Sequence, residues 1–452
     1  MQHYDVIIIG GGPAGFQAAL SARKSNPKVS IALIRKEKKA LIPCGIPYVL
    51  HSLKSVDDDI LPDEPLQKHK IDIIIGEVSR REDHTLQLSD KRQISFKKLV
   101  LATGSRPVFP SIPGVEKEGV FFVKKEYDYL IKLQGAARSS KNILVIGGGY
   151  IGVEIADELL RAGKHVTLIE MLPSLLATTM DPEFSSDLHA ELENHGAKII
   201  LGCKVIQFTG KDQFDGADLD NGDHIEADMA ILSVGYKPNL EIAVTFGLET
   251  EKNYGIIVDE YLRTSDPDIL AAGDCALHKN SITGKASRVM LASTAMAQGR
   301  LVGSNLFRIS FVKNFQGTLG SFATKVGNFS FGVSGLTELE AKELGIHYFT
   351  GEHDSVDRHP GKLPGATKIH IKLLFARYSH VLLGAQIRGG DSVGELVNMI
   401  SVMIQKRMTD MEIDTIQIGT HPLLTSSPIA YPVINATSNA IEKWFHKTTE
   451  EL

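Results

Sequence analysis

The three cysteines of this sequence, Cys44, Cys203 and Cys275, lie far apart along the chain. Their spacing fits neither a disulfide framework nor a tetrahedral zinc site. Cys44 differs from the other two because it stands in a segment rich in glycine and proline, residues 41–47 (LIPCGIP). A cysteine taken alone is most often a buried small residue, but as a thiolate it would be a nucleophile that exchanges with disulfides or carries oxidised sulfur. Cys203 and Cys275 are expected to be packing residues.

A glycine motif near the N-terminus predicts a dinucleotide site. The apolar run over residues 4–9 is typical of a buried parallel strand, and a helix over 16–24 and a strand over 29–34 follow the motif. In this context Gly10 permits a tight turn, Gly12 lets the backbone approach a pyrophosphate, and Gly15 allows close helix–strand packing. Pro13 and Ala14 complete the turn.

The same pattern recurs after a strand over residues 142–146. Its residues are Gly147, Gly149, Tyr150, Ile151 and Gly152. The next strand, 165–169, ends in Glu170, 18 residues after Gly152. An acid at this distance binds both ribose hydroxyls of an adenosine and repels a 2′-phosphate, so NADH is preferred over NADPH.

Two dinucleotide motifs in one chain imply two dinucleotides. A hydride donor such as NADH needs an acceptor, and a flavin is the most economical choice for the second site.

Composition excludes several classes of protein. The chain has 452 residues, 43% hydrophobic and 23% charged, with a formal net charge of −5. This composition is typical of a globular protein, and the net negative charge gives no positive electrostatic potential for binding nucleic acid. No apolar run reaches about 18 residues, so no membrane span is expected. A strand that begins at residue 5 leaves no room for a signal peptide, which predicts a cytoplasmic enzyme of about three domains.

Seven motifs occur along the chain in an order typical of one family. They are the first glycine motif, residues 44–48 (CGIPY), 102–107 (ATGSRP), the second glycine motif with Glu154 and Glu170, 235–239 (GYKPN), 271–274 (AAGD) and 291–295 (LASTA). Together they resemble the FAD-dependent pyridine-nucleotide-disulfide oxidoreductases. The resemblance is strongest to the branch with a single active-site cysteine, which contains coenzyme A-disulfide reductases, NADH oxidases and NADH peroxidases.

The resemblance implies an α/β fold with two Rossmann-like dinucleotide-binding domains, for FAD and NAD, and a C-terminal α+β dimerisation domain. The FAD domain would be discontinuous, over 1–115 and 256–325, with the NAD(H) domain at 116–255 between its parts and the dimerisation domain at 326–452. Asp274 would accept hydrogen bonds from the flavin ribityl chain. The other cofactor-binding positions implied are Ala102, Thr103 and Gly104 at the crossover near the flavin, with Glu154, Gly235, Leu291 and Ala292.

One position departs from the family pattern. The second strand of the FAD unit should end in an acid for the ribose, but Arg35 stands there, with Glu37 two residues later. Either the ribose is held in another way or Glu37 reaches in, and Arg35 is kept as the matching position. Val78 matches the position whose backbone meets the adenine.

The resemblance also gives Cys44 a redox role. Two-cysteine relatives form a disulfide through a C-x4-C pair, whereas Val49 stands at the fifth position after Cys44. The oxidised form of Cys44 must therefore be a mixed disulfide, a persulfide or a sulfenic acid. Electrons are expected to pass from NADH through the flavin to this oxidised sulfur.

Residues near Cys44 bear on the electron acceptor. Oxidases and peroxidases of this branch carry a histidine where this chain has Pro13, which favours a sulfur substrate. The Ser and Asn that flank the cysteine of coenzyme A-disulfide reductases are replaced by Ala40 and Pro43, and their Tyr-Tyr-Pro segment by residues 358–360 (RHP). Coenzyme A therefore remains an open alternative.

The C-terminal third matches the family's dimerisation domain and includes a helix over 392–407 with an apolar stripe. In the two-cysteine relatives, a His-Pro pair from the partner subunit supplies the acid/base for the departing thiol, and His421 with Pro422 resembles that pair. The glutamate that orients it is replaced by Ser426. His421 is thus either the acid/base of a site completed by the partner or a loop residue.

The sequence predicts an FAD-dependent, NADH-oxidising homodimer that reduces a small disulfide, persulfide or polysulfide through Cys44. Two alternatives stay open. One is an NADH oxidase or peroxidase that uses a Cys44 sulfenic acid, and the other is a redox-sensing flavoprotein whose reduced state governs a partner.

Overall fold

The computed structural model describes residues 2–312 and 314–450. Its strands are β1 Gln2–Ile9, β2 Ile31–Arg35, β3 Asp72–Ile75, β4 Val78–Glu82, β5 Thr85–Leu88, β6 Gln93–Leu101, β7 Ser105–Pro107, β8 Val120–Phe122, β9 Asn142–Ile146, β10 His165–Glu170, β11 Lys198–Leu201, β12 Val205–Thr209, β13 Gly216–Leu219, β14 His224–Glu226, β15 Met229–Leu232, β16 Tyr236–Pro238, β17 Thr250–Glu251, β18 Gly255–Ile256, β19 Ile269–Ala271, β20 His278–Lys279, β21 Ala286–Ser287, β22 Phe322–Val326, β23 Phe329–Gly335, β24 Tyr348–Val356, β25 Lys368–Ala376 and β26 Leu382–Gly389.

Its α-helices are α1 Pro13–Ser25, α2 Glu64–Lys68, α3 Tyr127–Ser139, α4 Tyr150–Arg161, α5 Pro182–Asn194, α6 Glu241–Thr245, α7 Ala292–Asn305, α8 Glu338–Glu343, α9 Val393–Gln405, α10 Asp410–Asp414 and α11 Pro432–Glu450. Short 3₁₀ helices span Pro43–Leu50, Val56–Asp59 and Pro428–Ala430. Strands and helices are mixed along the chain, and the predicted α/β class is confirmed.

The described residues form two compact units. The first unit contains the chain up to Lys141, Gly210–Asp215 and Asp228–Thr318, and the second contains Asn142–Thr209, Gly216–Ala227 and the chain from Leu319 onward. The four-segment domain division drawn from the resemblance stays a prediction.

The main sheet of the first unit is mixed, with strands in the order β3-β2-β1-β6-β5-β4 and β19 beside β6. Strand β1 is parallel to both β2 and β6. Its side chains alternate between two apolar layers, because Val6 and Ile8 pack with α1 and α7 while Ile7 and Ile9 pack on the opposite face. Burial on both faces explains why this strand is a continuous apolar run.

Helices α1 and α7 lie close together in the first unit. A Cβ added to Gly299 would approach the Ala14 carbonyl oxygen to 2.6 Å, and one added to Gly303 would overlap the Ala18 carbonyl oxygen. Small residues on both helices therefore allow the two backbones to pack closely.

The second unit contains the parallel strands β9, β10 and β11, with β10 in the middle. It also holds an antiparallel five-stranded sheet in the order β22-β23-β26-β25-β24. Helix α9 packs on β23 and β26, and the apolar stripe predicted for it is buried, including Val393, Ile400 and Met403. Helix α8 has a side-chain cap, since the Thr337 hydroxyl accepts from the Glu340 amide at 3.1 Å.

No helix in the described part of the chain has both the length and the apolar character to cross a lipid bilayer.

Candidate active site

The first glycine motif forms the turn between β1 and α1. Gly10 has φ +118°, and a Cβ there would overlap the Ala102 carbonyl oxygen, while one on Gly15 would overlap the Gly10 carbonyl oxygen. Among the described residues, by contrast, no heavy atom lies within 4 Å of a Cβ built on Gly12. Helix α1 begins at Pro13 with no side-chain cap on Gly12. The loop is thus closed beneath Gly10 and Gly15 and open in front of Gly12, as a pyrophosphate cradle requires.

Two further motifs meet this loop in the first unit. A Cβ on Gly273 would lie 2.8 Å from the Ala14 Cβ, so the turn after β19 packs directly on α1. Helix α7 begins at Ala292, with Leu291 as its N-cap residue and no side-chain cap. Its first-turn amides are therefore available to a ligand.

The crossover after β6 is hydrogen-bonded to Asn239, which directly follows β16. The Thr103 hydroxyl donates to the Asn239 carbonyl at 3.0 Å, and the Asn239 amide nitrogen Nδ2 donates to the Thr103 carbonyl at 2.8 Å. Gly104 has φ +66° and Gly235 φ +97°, and no described heavy atom lies within 4 Å of a Cβ on either. Two motifs separated by about 130 residues in the sequence thus form one feature of the first unit.

Asp274 lies in the turn after β19, three residues beyond Ala271, and one of its carboxylate oxygens accepts two hydrogen bonds. Its Oδ2 accepts from the Ser105 hydroxyl at 2.6 Å and from the Lys125 ammonium at 3.2 Å. Among the described residues both of these bonds go to Oδ2, which leaves Oδ1 able to accept from a sugar hydroxyl. The pattern of residues did not identify Lys125, because 149 residues separate it from Asp274.

Cys44 is the second residue of the 3₁₀ helix Pro43–Leu50 and is exposed. Segment 59–61 fixes the chain before it, because the Ile42 amide donates to the Asp59 carbonyl and the Leu61 amide to the Ala40 carbonyl, both at 2.9 Å. The other end of the helix is held by the Gln134 side chain, which donates to the Val49 carbonyl at 2.6 Å. An exposed thiol on an anchored segment is accessible to a small sulfur compound.

A buried carboxyl group lies against this helix. A Cβ added to Gly45 would overlap Oδ1 of Asp59, and Asp59 is only 1% exposed. Among the described residues, the Asp59 Oδ2 atom has no hydrogen-bond partner. Burial raises the pKa of the Asp59 carboxyl to about 6. Nothing in the sequence pattern had marked this residue.

Gly45→Ala is expected to destabilise the protein by about 1–3 kcal/mol, since the new methyl group has no room beside the Asp59 carboxyl. The midpoint of thermal unfolding measures the effect. Gly135→Ala is the control, because no described atom lies within 4 Å of a Cβ there. The double variant Gly45→Ala/Asp59→Ala should recover part of the loss, and equal loss in single and double variants would contradict the explanation.

Asp59→Asn is expected to change how stability depends on pH. The folded-state pKa of Asp59, about 6, lies above the ordinary value of an aspartate, about 3.9, so the stabilisation from this group is complete below about pH 4 and is lost as pH rises to about 6. The asparagine variant cannot ionise, so its unfolding midpoint relative to wild type should rise over that interval. The exposed Asp83→Asn serves as control, and a pH-independent difference for Asp59→Asn would refute the expectation.

The second glycine motif repeats the geometry of the first between β9 and α4. Gly147 has φ +105°, α4 begins at Tyr150, and no described atom lies within 4 Å of a Cβ on Gly149. Ile151 and Gly152 follow in the first turn of α4, and Gly152 is buried.

Glu170 ends β10 beside this loop. Its two carboxylate oxygens accept from the Gly148 amide at 2.5 Å and the Leu172 amide at 2.7 Å. The side chain is buried and its orientation fixed, while each oxygen keeps lone-pair capacity for another donor. The structure thus holds an acid at the edge of an open glycine loop, as adenosine recognition requires.

Two more predicted residues lie on α4. The Tyr150 ring stacks on Phe322, with ring centroids 4.7 Å apart. Burial raises the pKa of Glu154 to about 7, although the Thr324 hydroxyl donates to it at 3.0 Å and opposes that rise. Glu154 is thus a carboxyl group that changes protonation near neutral pH.

His421 lies exposed in a tight turn of the second unit. The Leu423 amide donates to its Nδ1 atom at 3.3 Å, so in the neutral ring the proton resides on Nε2. The His359 Nδ1 donates to the Thr425 carbonyl at 3.0 Å, which ties the turn to the preceding chain. The Nε2 atom of His421 is therefore the ring nitrogen that could exchange a proton with a thiol or thiolate.

Three other positions singled out from the sequence, Val78, Cys275 and Arg35, are buried in the first unit. Val78 begins β4 and is buried, and Cys275 is buried in the core of the first unit. Arg35 is buried at the end of β2, and its guanidinium group binds Asp63.

Models of protein families match most of the chain. The model described as pyridine nucleotide-disulphide oxidoreductase matches residues 4–299, and the model of the dimerisation domain of the same family matches residues 322–429.

Individual relatives are similar over nearly the whole length. A protein of Methanocaldococcus jannaschii named NADH oxidase is 32% identical and covers 98% of this chain and 99% of the relative. A protein of Pyrococcus horikoshii named NAD(P)H coenzyme A polysulfide/persulfide reductase is 31% identical over 85% of this chain and 87% of the relative. The solved structure of a NAD-dependent persulfide reductase from A. fulgidus aligns with a TM-score of 0.90 at 30% identity, over 98% of this chain and 84% of that one.

Proposed function

Because the chain belongs to the pyridine nucleotide-disulphide oxidoreductase family, an FAD- and NADH-using family of oxidoreductases, we propose that it reduces a small disulfide, persulfide or polysulfide with electrons from NADH through Cys44. The observation that carries the proposal is an exposed Cys44 on an anchored 3₁₀ helix, with Val49 where a second redox cysteine would stand.

The proposed chemistry at Cys44 is thiol exchange. The Cys44 thiolate attacks one sulfur of the substrate R–S–S–R′, which breaks the S–S bond, forms the mixed disulfide Cys44–S–S–R and releases R′–S⁻. Two electrons that originate from NADH then cleave the mixed disulfide, which restores the Cys44 thiolate and releases R–S⁻. Two protons convert the released thiolates to thiols, so that NADH, H⁺ and R–S–S–R′ give NAD⁺ and two thiols.

We assign the FAD site to the first glycine motif. FAD supplies the two-electron relay between a hydride donor and sulfur. The open space in front of Gly12 and the uncapped start of α1 would accept its pyrophosphate, and the Oδ1 atom of Asp274 its ribityl hydroxyls. Lys125 would orient the Asp274 carboxylate through their ion pair, which extends the site beyond the predicted set.

We assign NADH to the second glycine motif. The fixed carboxylate of Glu170 supports a preference for NADH over NADPH, since it would accept from both ribose hydroxyls and repel a 2′-phosphate. Glu154 and Tyr150 would complete this site on α4.

A homodimer is the proposed assembly. The match to a dimerisation domain and the exposed turn of His421 support a site in which the partner subunit supplies the proton donor. The imidazolium form of His421 would then give its Nε2 proton to the thiolate released at Cys44 and become a neutral imidazole.

The acceptor is tested by steady-state NADH oxidation with coenzyme A disulfide, coenzyme A persulfide, polysulfide, glutathione disulfide, oxygen and peroxide as separate substrates. The proposal expects the highest kcat/KM with one of the sulfur compounds. Similar rates with coenzyme A compounds and polysulfide would remove coenzyme A from the proposal. Slow turnover with every acceptor would instead favour a redox-sensing flavoprotein.

A second candidate function is NADH oxidase activity. It is favoured by the M. jannaschii relative of that name, which matches nearly the full chain. The candidate requires a Cys44 sulfenic acid, and Pro13 in place of the histidine of that branch argues against it. Oxygen or peroxide consumption well above the rate with sulfur compounds would decide for it.

A further inference from the structure

The two glycine loops of this chain have the same register, but the residue that ends the next strand has opposite charge in the two cases. In the first loop the Gly10 amide donates to the Ile34 carbonyl, and in the second the Gly147 amide donates to the Ile169 carbonyl, both at 2.8 Å. The residue after each of these isoleucines ends its strand, and it is Arg35 in the first case and Glu170 in the second. Arg35 therefore occupies the position at which the second loop has its ribose-binding acid.

The side chains at this position also pack in the same way. A Cβ on Gly148 would lie 3.1 Å from the Glu170 Cβ, and a Cβ on Gly11 would lie 2.6 Å from the Arg35 Cδ. Each side chain thus runs along the middle glycine of its loop. FAD and NAD have identical adenosine halves. A side chain bound to the Arg35 guanidinium group would therefore lie where the FAD ribose is expected.

The Arg35 guanidinium group binds the carboxylate of Asp63. Its Nη1 and Nη2 atoms donate to Oδ1 and Oδ2 of Asp63, both at 2.6 Å, while its Nε and Nη2 atoms donate to the Glu37 and Lys38 carbonyls at 2.9 Å. The Arg35 side chain is 3% exposed, whereas that of Asp63 is 30% exposed. This paired, planar arrangement fixes the orientation of the carboxylate more tightly than a single hydrogen bond would.

The Asp63 carboxylate is not engaged in capping its own helix. Asp63 is the N-cap residue of α2, but its side chain makes no cap hydrogen bond there. Each of its oxygens accepts one bond from Arg35 and keeps capacity for a further donor. A sugar hydroxyl is such a donor.

We propose that Asp63, held by Arg35, is the acid that binds the adenosine ribose hydroxyls of FAD in place of an acid at the end of β2. The proposal rests on the FAD site assigned above to the first glycine motif, and it does not depend on the electron acceptor. The proposal also explains why an arginine can stand at this position. An arginine alone would offer the ribose hydroxyls no acceptor, and the Asp63 carboxylate that it binds supplies one.

The test measures affinity for FAD and for its 2′-deoxyadenosine analogue, by titration of apoprotein with flavin fluorescence as the readout. Wild type should bind FAD at least about tenfold more tightly than the analogue. Asp63→Asn should bind FAD about tenfold more weakly and lose most of this discrimination. Asp266→Asn is the matched control, because Asp266 forms a 2.6 Å ion pair with Arg81 in the same unit, and it should keep the discrimination.

Other outcomes have defined meanings. If Asp63→Asn still bound FAD more tightly than the 2′-deoxyadenosine analogue by the wild-type ratio, the proposal would be overturned. If Glu37→Gln lost that preference and Asp63→Asn kept it, Glu37 would be the residue that binds the ribose. If Asp63→Asn does not fold, Asp63→Ser, which also lacks the carboxylate, is measured in its place, and an unchanged FAD-to-analogue affinity ratio in that variant would equally overturn the proposal. Tight FAD binding by Gly12→Val would show that the site assignment fails rather than the role of Asp63.

Discussion

Cys44→Ser is expected to lower the turnover of disulfide, persulfide or polysulfide by about a thousandfold or more, because a serine hydroxyl cannot form the mixed disulfide that carries the electrons. Bound FAD and its bleaching by NADH should persist, since the FAD and NADH sites are assigned to other residues. Stopped-flow absorbance separates the two half-reactions: the flavin is reduced at the wild-type rate and is not reoxidised by the sulfur substrate.

Cys203→Ser is the control for this prediction. Cys203 is half-buried after β11, and its replacement should leave both half-reactions intact. If Cys44→Ser kept its sulfur reductase activity while Cys203→Ser lost it, the nucleophile would be misassigned.

The second large effect is expected from Glu170→Ala. The substitution removes both proposed ribose acceptors and leaves the Gly148 and Leu172 amides without their carboxylate partner. Charge-assisted hydrogen bonds contribute about 1.5–3 kcal/mol each, so KM for NADH should rise about tenfold or more. The ratio of kcat/KM for NADH to that for NADPH should also fall by about tenfold or more, because the charge that repels a 2′-phosphate is gone.

Steady-state kinetics with both nucleotides test this expectation. Glu226→Ala, at an exposed position of β14 in the same unit, should change neither KM nor the ratio. An unchanged preference for NADH in Glu170→Ala, with an unchanged thermal midpoint, would assign the selectivity to other residues.

The two glycine motifs illustrate what can be predicted from local sequence. A β-branched run, a turn that only glycine tolerates and a helix with small residues are consecutive in the chain, and each is specified by local conformational preference. Gly10 and Gly147 have the positive φ angles that the motifs require, and the strands that precede them are buried as predicted. The family resemblance, which depends on the same motifs, is confirmed by the family models.

Other site features arise from contacts between distant parts of the chain. Lys125 contacts Asp274 across 149 residues, Arg35 contacts Asp63 across 28, and the Asp59 carboxyl packs on Gly45. No helix or strand periodicity and no motif spacing links the two residues of any of these pairs, so the sequence could not predict the contacts. Arg35 taken alone was an unexplained departure, and only its ion pair gives that position a carboxylate.

The sequence by itself therefore determined the class of fold, the two glycine loops proposed to bind nucleotides and the single cysteine proposed to react, because each depends on residues that are neighbours along the chain. Only the tertiary structure decided which ionisable groups lie near those residues. These groups are the Asp59 carboxyl beside the Cys44 helix, the Lys125 ammonium that binds Asp274, and the Asp63 carboxylate that binds Arg35. Electrostatic interactions depend on distance in space and on burial, and folding sets both of them by joining segments far apart in the sequence.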